Sequence, residues 1–289
     1  MRAPSIFRYP GGKSVLVNSF IQYIPGDVEL YVEPFVGGGS VLLNVAARGS
    51  FSMCPTPKHF LINDSNPDVA AFWATLVGDE AAYLALTHSV ATIKPTVELF
   101  HRIQKADYCC DDDRAFRCLF INRTSFSGIM DSGPIGGEEQ ATRELTVRWK
   151  PPVLIRQMKD ARALLLGKTS VTCCDFSKVL ESANGNAFAY LDPPYYEKGA
   201  QLYGKYGKMD HMRLRELLDK VPRWLLSYDN NKYVKELYAG FKMEELTHYR
   251  SISGHISEGT KRPRDKSELL IFSKVPATAA VCLENPIAK

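Results

Sequence analysis

Four consecutive residues, Asp192-Pro193-Pro194-Tyr195, join a carboxylate, two prolines and an aromatic ring at the end of the apolar run AFAYL, residues 187–191. Consecutive prolines restrict φ and remove backbone donors, so the groups around them are held in one geometry. The Asp192 carboxylate and the Pro193 carbonyl are acceptors that suit an exocyclic amine. Tyr195 offers a face on which a flat ring can stack.

A second set of residues reads as a ligand loop. The strand-like stretch VELYV, residues 28–32, runs into EPFVGGGS, and apolar spacing at Val41, Leu42, Val45 and Ala46 predicts a helix over residues 40–48. Three glycines there let a ligand approach the backbone without a Cβ barrier, although a tight strand-to-helix turn would use them too. Asp64 ends the next strand-like stretch, where an acid can accept from ribose hydroxyls or cap the following helix. Together these residues favour an adenosine ligand that need not carry phosphate. FRYPGGKS, residues 7–14, has the glycine, lysine and serine of a triphosphate loop. Such a loop needs a glycine five residues before its Gly-Lys pair, because its backbone wraps the phosphates. Phe7 stands at that place and no strand precedes it, which argues against a triphosphatase.

The elements that must carry these residues alternate. Strands are expected at residues 28–32, 60–62, 169–173, 187–191, 224–227 and 269–272, and Asn66-Pro67 opens a helix because proline suits a first turn. Strand, turn and helix in alternation predict an α/β sheet with ligand loops at the carboxyl ends of its strands. Residues 72–168 read differently, as helices broken by a Gly-, Ser- and Pro-rich loop at 125–137. The expectation is one catalytic domain, residues 1–71 and 169–289, with residues 72–168 inserted.

The chain has 289 residues, 45% of them hydrophobic, and a net charge of +4, so it can bury a full core and tolerates a polyanionic partner. Its seven cysteines form no CxxC pair, which points to reduced thiols rather than zinc or disulfides. No apolar run is long enough to cross a bilayer, and the opening MRAPSIFRYPGGK has no secretory h-region. A cytoplasmic, monomeric protein with no membrane association is expected.

RYPGGK, EPFVGGGS, NDSN, NRTSFSG and LDPPYY, in this order, resemble the alpha group of DNA adenine-N6 methyltransferases, the DNA adenine methylase type. The resemblance spans roughly residues 6–272. It implies a Rossmann-like S-adenosylmethionine-dependent methyltransferase sheet with an inserted, mainly helical target-recognition domain. It implies that Tyr9, Lys13, Phe35, Gly37, Asp64, Asp175, Phe176 and Asp192 bind S-adenosylmethionine, with Lys13 near the methionine carboxylate or the catalytic Asp192. Asp64 is expected on the ribose, and Asp175 and Phe176 on the adenine moiety. Asp192, Pro193 and Tyr195 are expected to hold a target adenine flipped out of double-stranded DNA. No metal is required by that chemistry. DPPY-like turns also serve amino groups on RNA bases and glutamine, and a DNA-binding regulator could keep such a fold. The GGK loop, the insertion and the intact Asp192, Pro193 and Tyr195 favour the DNA enzyme.

DNA needs cations and readers. Lys198, Lys205, Lys208, Arg213 and Arg215 follow the DPPY turn, and Lys261, Arg262, Arg264 and Lys266 form a second basic run. Such residues position phosphates or are simply solvated. The resemblance puts Arg8 near a guanine. Within residues 122–148, Arg123, Ser125, Phe126, Ser127, Asp131 and Arg143 are candidate contacts. Asp131 stands where relatives that read GATC carry an arginine. An aspartate suits a cytosine amine better than guanine acceptors, so a recognition sequence other than GATC is expected.

Overall fold

The computed structural model describes residues 5–8, 12–51, 55–196, 209–248 and 266–274. Among these residues seven strands form one sheet: β1 (Leu30–Glu33), β2 (His59–Asn63), β3 (Thr169–Thr172), β4 (Ala187–Leu191), β5 (Trp224–Asp229), β6 (Lys242–His248) and β7 (Lys266–Phe272). Their spatial order is β3-β2-β1-β4-β5-β7-β6. β1 to β5 run parallel, and β7 runs antiparallel to both β5 and β6.

Side chains alternate across this sheet, as the period of a strand requires. Tyr31, Phe60, Ile62, Phe188 and Tyr190 enter the core on one face. Val32, Ala189, Leu191, Leu226 and Tyr228 enter the core on the other. Both faces are covered, which is why the residues of AFAYL are all buried. The strand order turns back between β1 and β4. In such sheets ligands bind in the crevice outside the carboxyl ends of the strands at that point. The two chemistry-bearing motifs leave from these two strands: EPFVGGGS from β1 and DPPY from β4.

Between β2 and β3 the chain forms helices α2 (Pro67–Val77), α3 (Glu80–Thr92), α4 (Val97–Lys105), α5 (Asp111–Thr124) and α6 (Pro151–Leu165), after α1 (Ser40–Ala46) follows β1. Local chemistry sets their starts. Asn66 Oδ1 accepts the Asp68 N–H at 3.0 Å ahead of Pro67, and Asp79 and Thr96 cap α3 and α4 in the same way. Asp111, Asp112 and Asp113 load the first turn of α5 with negative charge, which complements its dipole. α2 runs unbroken through residue 72, and Phe100, Leu119, Phe120, Trp149 and Met158 of this helical segment share one apolar core with the Tyr31 face of the sheet. Two further helices used below are α7 (Phe176–Leu180) and α8 (His211–Leu218). Among the described residues no single helix is long and apolar enough to cross a membrane.

Candidate active site

The carboxyl ends of β1 to β5 open into a cleft of about 1480 Å3, lined among others by Phe35, Asp64, Phe176, Asp192 and Tyr195. Its glycine wall is shaped by α2. Gly39 has φ 61°, in the left-handed region, and a Cβ there would lie 2.3 Å from the Trp73 ring. Trp73 Nε1 donates to the Gly37 carbonyl at 2.9 Å. The Gly37 N–H donates to Asp64 Oδ2 at 3.0 Å, and the Asn66 N–H donates to Asp64 Oδ1 at 2.9 Å. Burial pushes the Asp64 carboxyl up to about 6 against those two amides. Asn63, which sequence reasoning passed over, ties three strand ends together. Its Nδ2 donates to the Pro34 and Cys174 carbonyls at 3.0 and 3.1 Å, and its Oδ1 accepts the Cys174 N–H at 3.0 Å.

At the adenosine end expected from sequence, Phe35 and Phe176 face each other with ring centroids 5.5 Å apart. Asp175 caps α7 through the Ser177 N–H at 3.0 Å and pairs with Arg213 of α8 at 3.0 Å. Burial works against its charge, but Ser177 and Arg213 hold the carboxyl below the usual range. Arg213, expected among the basic residues that follow DPPY, thus sits over the Phe176 ring, while Arg215 pairs with Asp219.

The opposite end is an ion-paired cluster. Lys13 is buried, and its ammonium lies 2.5 Å from Asp192 Oδ1, 3.3 Å from the Tyr195 hydroxyl and 3.7 Å from Glu268 Oε2. Burial disfavours its charge, yet the Asp192 and Glu268 carboxylates override it and hold the pKa well above the ordinary lysine value. The GGK lysine therefore meets Asp192, one of the two partners expected for it. Ser227 of β5 donates to the same Asp192 Oδ1 at 3.3 Å and shares a hydrogen bond with the Tyr190 hydroxyl at 2.9 Å. This follows from register, because Leu191 pairs with Leu226 and the next residues then meet. Both donors take Oδ1, so among the described residues Oδ2 keeps its lone pairs. Burial raises the Asp192 pKa, with Lys13 and Ser227 pulling the other way. The Tyr195 hydroxyl donates to Glu268 Oε1 at 2.5 Å, and Pro193 is buried beneath the turn. Glu33, at the end of β1, is buried and accepts the Tyr31 hydroxyl at 2.7 Å; burial and the nearby Asp192 charge push its carboxyl up to about 8.

A second constellation borders the same cleft, whose lining includes Arg8, Ser127, Gly128 and Asp131. Arg8 and the loop after α5 are stapled by Asn122: its Oδ1 accepts the Arg8 N–H at 2.9 Å, and its Nδ2 donates to the Arg8 and Gly128 carbonyls at 3.0 and 3.1 Å. A Cβ on Gly128 would lie 2.1 Å from the Arg8 carbonyl oxygen, so the approach requires glycine. The loop closes on itself through Phe126 N–H to Gly133 O and Ile135 N–H to Thr124 O, both 2.8 Å. Gln104 of α4 anchors it through the Met130 and Ser132 carbonyls at 2.9 Å. On this base Phe126 stands 66% exposed, and Ser127, Asp131 and Arg143 are exposed beside it. Burial and the like charges of Arg148 and Arg143 lower the Arg8 pKa. Two expected contacts turn inward. The Arg123 guanidinium donates to the Ile6 carbonyl, and burial with Arg8 and Arg148 lowers its pKa to about 10. Ser125 is fully buried. Tyr9, Lys198, Lys205, Lys208, Lys261, Arg262 and Arg264 lie outside the described residues, as does the side chain of Lys266.

This geometry can be set beside known proteins. The profile of the D12 class N6 adenine-specific DNA methyltransferases matches residues 9–252. The chain is 29% identical to the DNA N-6-adenine-methyltransferase of Escherichia phage P1 across 86% of its own length, and it spans only 33% of that phage protein. It is 26% identical to Type II methyltransferase M.MjaIII of Methanocaldococcus jannaschii, over 94% of this chain and 100% of that one. It is 25% identical to a DNA adenine methylase of Vibrio cholerae, over 86% and 90%. The profile covers well over half of the sequence, from the GGK loop through DPPY to β6. The chain belongs to the D12 class of N6 adenine-specific DNA methyltransferases, enzymes that methylate adenine in DNA.

Proposed function

We propose that this enzyme moves a methyl group from S-adenosylmethionine to N6 of an adenine swung out of duplex DNA, within a short sequence other than GATC. The observation that carries the reading is the anchored Asp192, with Tyr195 beside it, opening on the same cleft as the glycine loop and Asp64.

The cleft suits S-adenosylmethionine on its own chemistry. Its lining holds more carboxylates, Asp64, Asp175, Asp192 and Glu268 among them, than arginines, a setting that favours a ligand with a sulfonium and an ammonium over a triphosphate. Asp64 would accept from the ribose hydroxyls, and Phe176 would pack on a face of the adenine moiety, with Phe35 lining the pocket beside it. Gly37 leaves the backbone open to approach. When bound, the donor supplies a methyl group already activated by its sulfonium. Asp192 Oδ2 then takes an N6 hydrogen, the Pro193 carbonyl is the second acceptor, and both draw the nitrogen toward a nucleophilic geometry. Asp192 is also a base at hand for the proton that N6 must lose once it holds the methyl carbon. Tyr195 stacks on the extruded base, which recovers part of the few kcal/mol that flipping costs.

Residues 72–168 serve as the target-recognition segment in this reading. Phe126 enters the base stack, Arg8 and Asp131 read base edges, and Ser127 and Arg143 contact the strands around them. Arg123 and Ser125 support this loop from within. Lys198, Lys261 and Arg262 add phosphate contacts. The enzyme acts as a monomer in the cytoplasm.

The test is transfer of labelled methyl groups to methylation-free duplex DNA, with structured RNA of matching sequence alongside. Labelled N6-methyladenine in DNA alone is expected, and transfer to RNA with none to DNA refutes the reading.

A further inference from the structure

Glu268 belongs to none of the sequence motifs, and it reaches Lys13, 255 residues earlier in the chain, because β7 returns beside β5.

 It is 8% exposed, and its two oxygens do different things. Oε1 accepts the Tyr195 hydroxyl at 2.5 Å. Oε2 is buried, accepts no hydrogen bond from the described residues, and lies 3.7 Å from the Lys13 ammonium that already touches Asp192.

We propose that Glu268 is a positioning residue for methyl transfer, fixing the Tyr195 ring through its hydroxyl and offering the Lys13 ammonium a second seat beside Asp192. The inference rests on the reading of Asp192 and Tyr195 as the target-base site. A stacking ring is useful only if its plane is held, and a hydroxyl bonded to a buried carboxylate holds it. The second seat answers a charge problem. N6 gains positive charge as it bonds to the methyl carbon, and the carboxylate that must face it is Asp192. An ammonium pressed on Asp192 opposes that charge, while removing it outright would leave a buried carboxylate unpaired. A small shift of Lys13 toward Glu268 Oε2 frees Asp192 without stranding either group.

The experiment measures single-turnover methylation of duplex DNA by the parent, Glu268→Ala, Glu268→Gln, Tyr195→Phe and the Tyr195→Phe/Glu268→Ala double variant. Cofactor dissociation constants and thermal melting are measured in parallel. A hydrogen bond to a charged acceptor corresponds to roughly a 10- to 100-fold effect, so Glu268→Ala should slow transfer by about that factor with cofactor affinity little changed. In the Tyr195→Phe background the same change should matter much less, because the two residues act as one unit. Glu268→Gln still accepts from Tyr195 and should be faster than Glu268→Ala. Equal losses in both backgrounds, or a Glu268→Ala rate within twofold of the parent, would overturn the proposal. Should Glu268→Ala not fold, Glu268→Gln in the two backgrounds decides: a loss appearing in neither counts against it. An inactive parent, by contrast, would indict the underlying reading instead.

Discussion

The cluster at the ends of β1 and β4 and the loop after α5 solve opposite problems. In the first, the charges are drawn in from solvent and partnered: Lys13 by Asp192 and Glu268, Asp64 by two backbone amides. In the second, the backbone is pinned by Asn122, Gly128 and Gln104, while Phe126, Asp131 and Arg143 are left in solvent. Chemistry needs polar groups fixed before the reactants arrive. Reading a duplex needs groups that can reach a groove, on a frame stiff enough to keep their register. The difference teaches that rigidity is common to both regions, and that exposure is what separates them.

Breaking the buried region should have the largest effect. Asp192→Ala removes the only proposed carboxylate at the target amine and leaves the Lys13 charge poorly answered. Methyl transfer should drop by at least about a thousandfold, while circular dichroism still reports a folded chain. Turnover within tenfold of the parent at equal cofactor affinity would remove Asp192 from the chemistry.

Asp64 sharpens the contrast through pH. The carboxylate is the form that accepts from ribose, and its pKa lies near 6 in the free protein. Cofactor affinity should therefore be full above that value and fall as the pH drops through it. Asp64→Ala should weaken binding by roughly 1.5–3 kcal/mol, the worth of a hydrogen bond to a charged group, and should flatten this part of the pH profile. Calorimetry between pH 5 and 8 checks both; an unchanged affinity in the variant rejects the assignment.

In the exposed region, effects should be smaller and should fall on DNA rather than on the cofactor. Phe126→Ala should weaken duplex binding by about 1–3 kcal/mol, the range for a base–aromatic contact, with cofactor affinity untouched. Fluorescence anisotropy on a labelled duplex would show it, and equal DNA affinity would exclude insertion by Phe126. Asp131→Arg should leave folding and the chemical step nearly intact while changing which sequence is methylated. Methylome sequencing in a methylation-free host gives the answer. Exclusive GATC methylation by the parent, or an unchanged motif in the variant, would take Asp131 out of base reading.

The parallel core of this fold was legible because its strands are short apolar runs that stop at chemically distinctive loops: AFAYL at DPPY, VELYV at EPFVGGGS. β6 was not, because KMEELTH has the charged, half-exposed pattern of an edge strand. Asp64, Asp192 and Lys13 were legible from the same loops. Glu268 was hidden at the polar start of KSELLIF, where it reads as a solvated flank, and Ser227 inside the apolar LLSYD. Their roles arise from lateral register between strands, which no local pattern carries. Arg123 and Ser125 show the converse. Their residue types suit DNA, yet the last turn of α5 points them into the protein.

The place of β7 between β5 and β6 bears on how the enzyme is made. β6 leaves the ribosome before β7 and, among the described strands, pairs with β7 alone. Among the described strands it gains a neighbour only when β7 pairs with it and with β5. Glu268 arrives with that strand, so the seat for Lys13 and the anchor for Tyr195 are completed together once β7 has paired. A nascent chain could thus hold its glycine loop and its DPPY turn and still lack a finished base pocket, which delays modification of DNA until the whole catalytic sheet has closed.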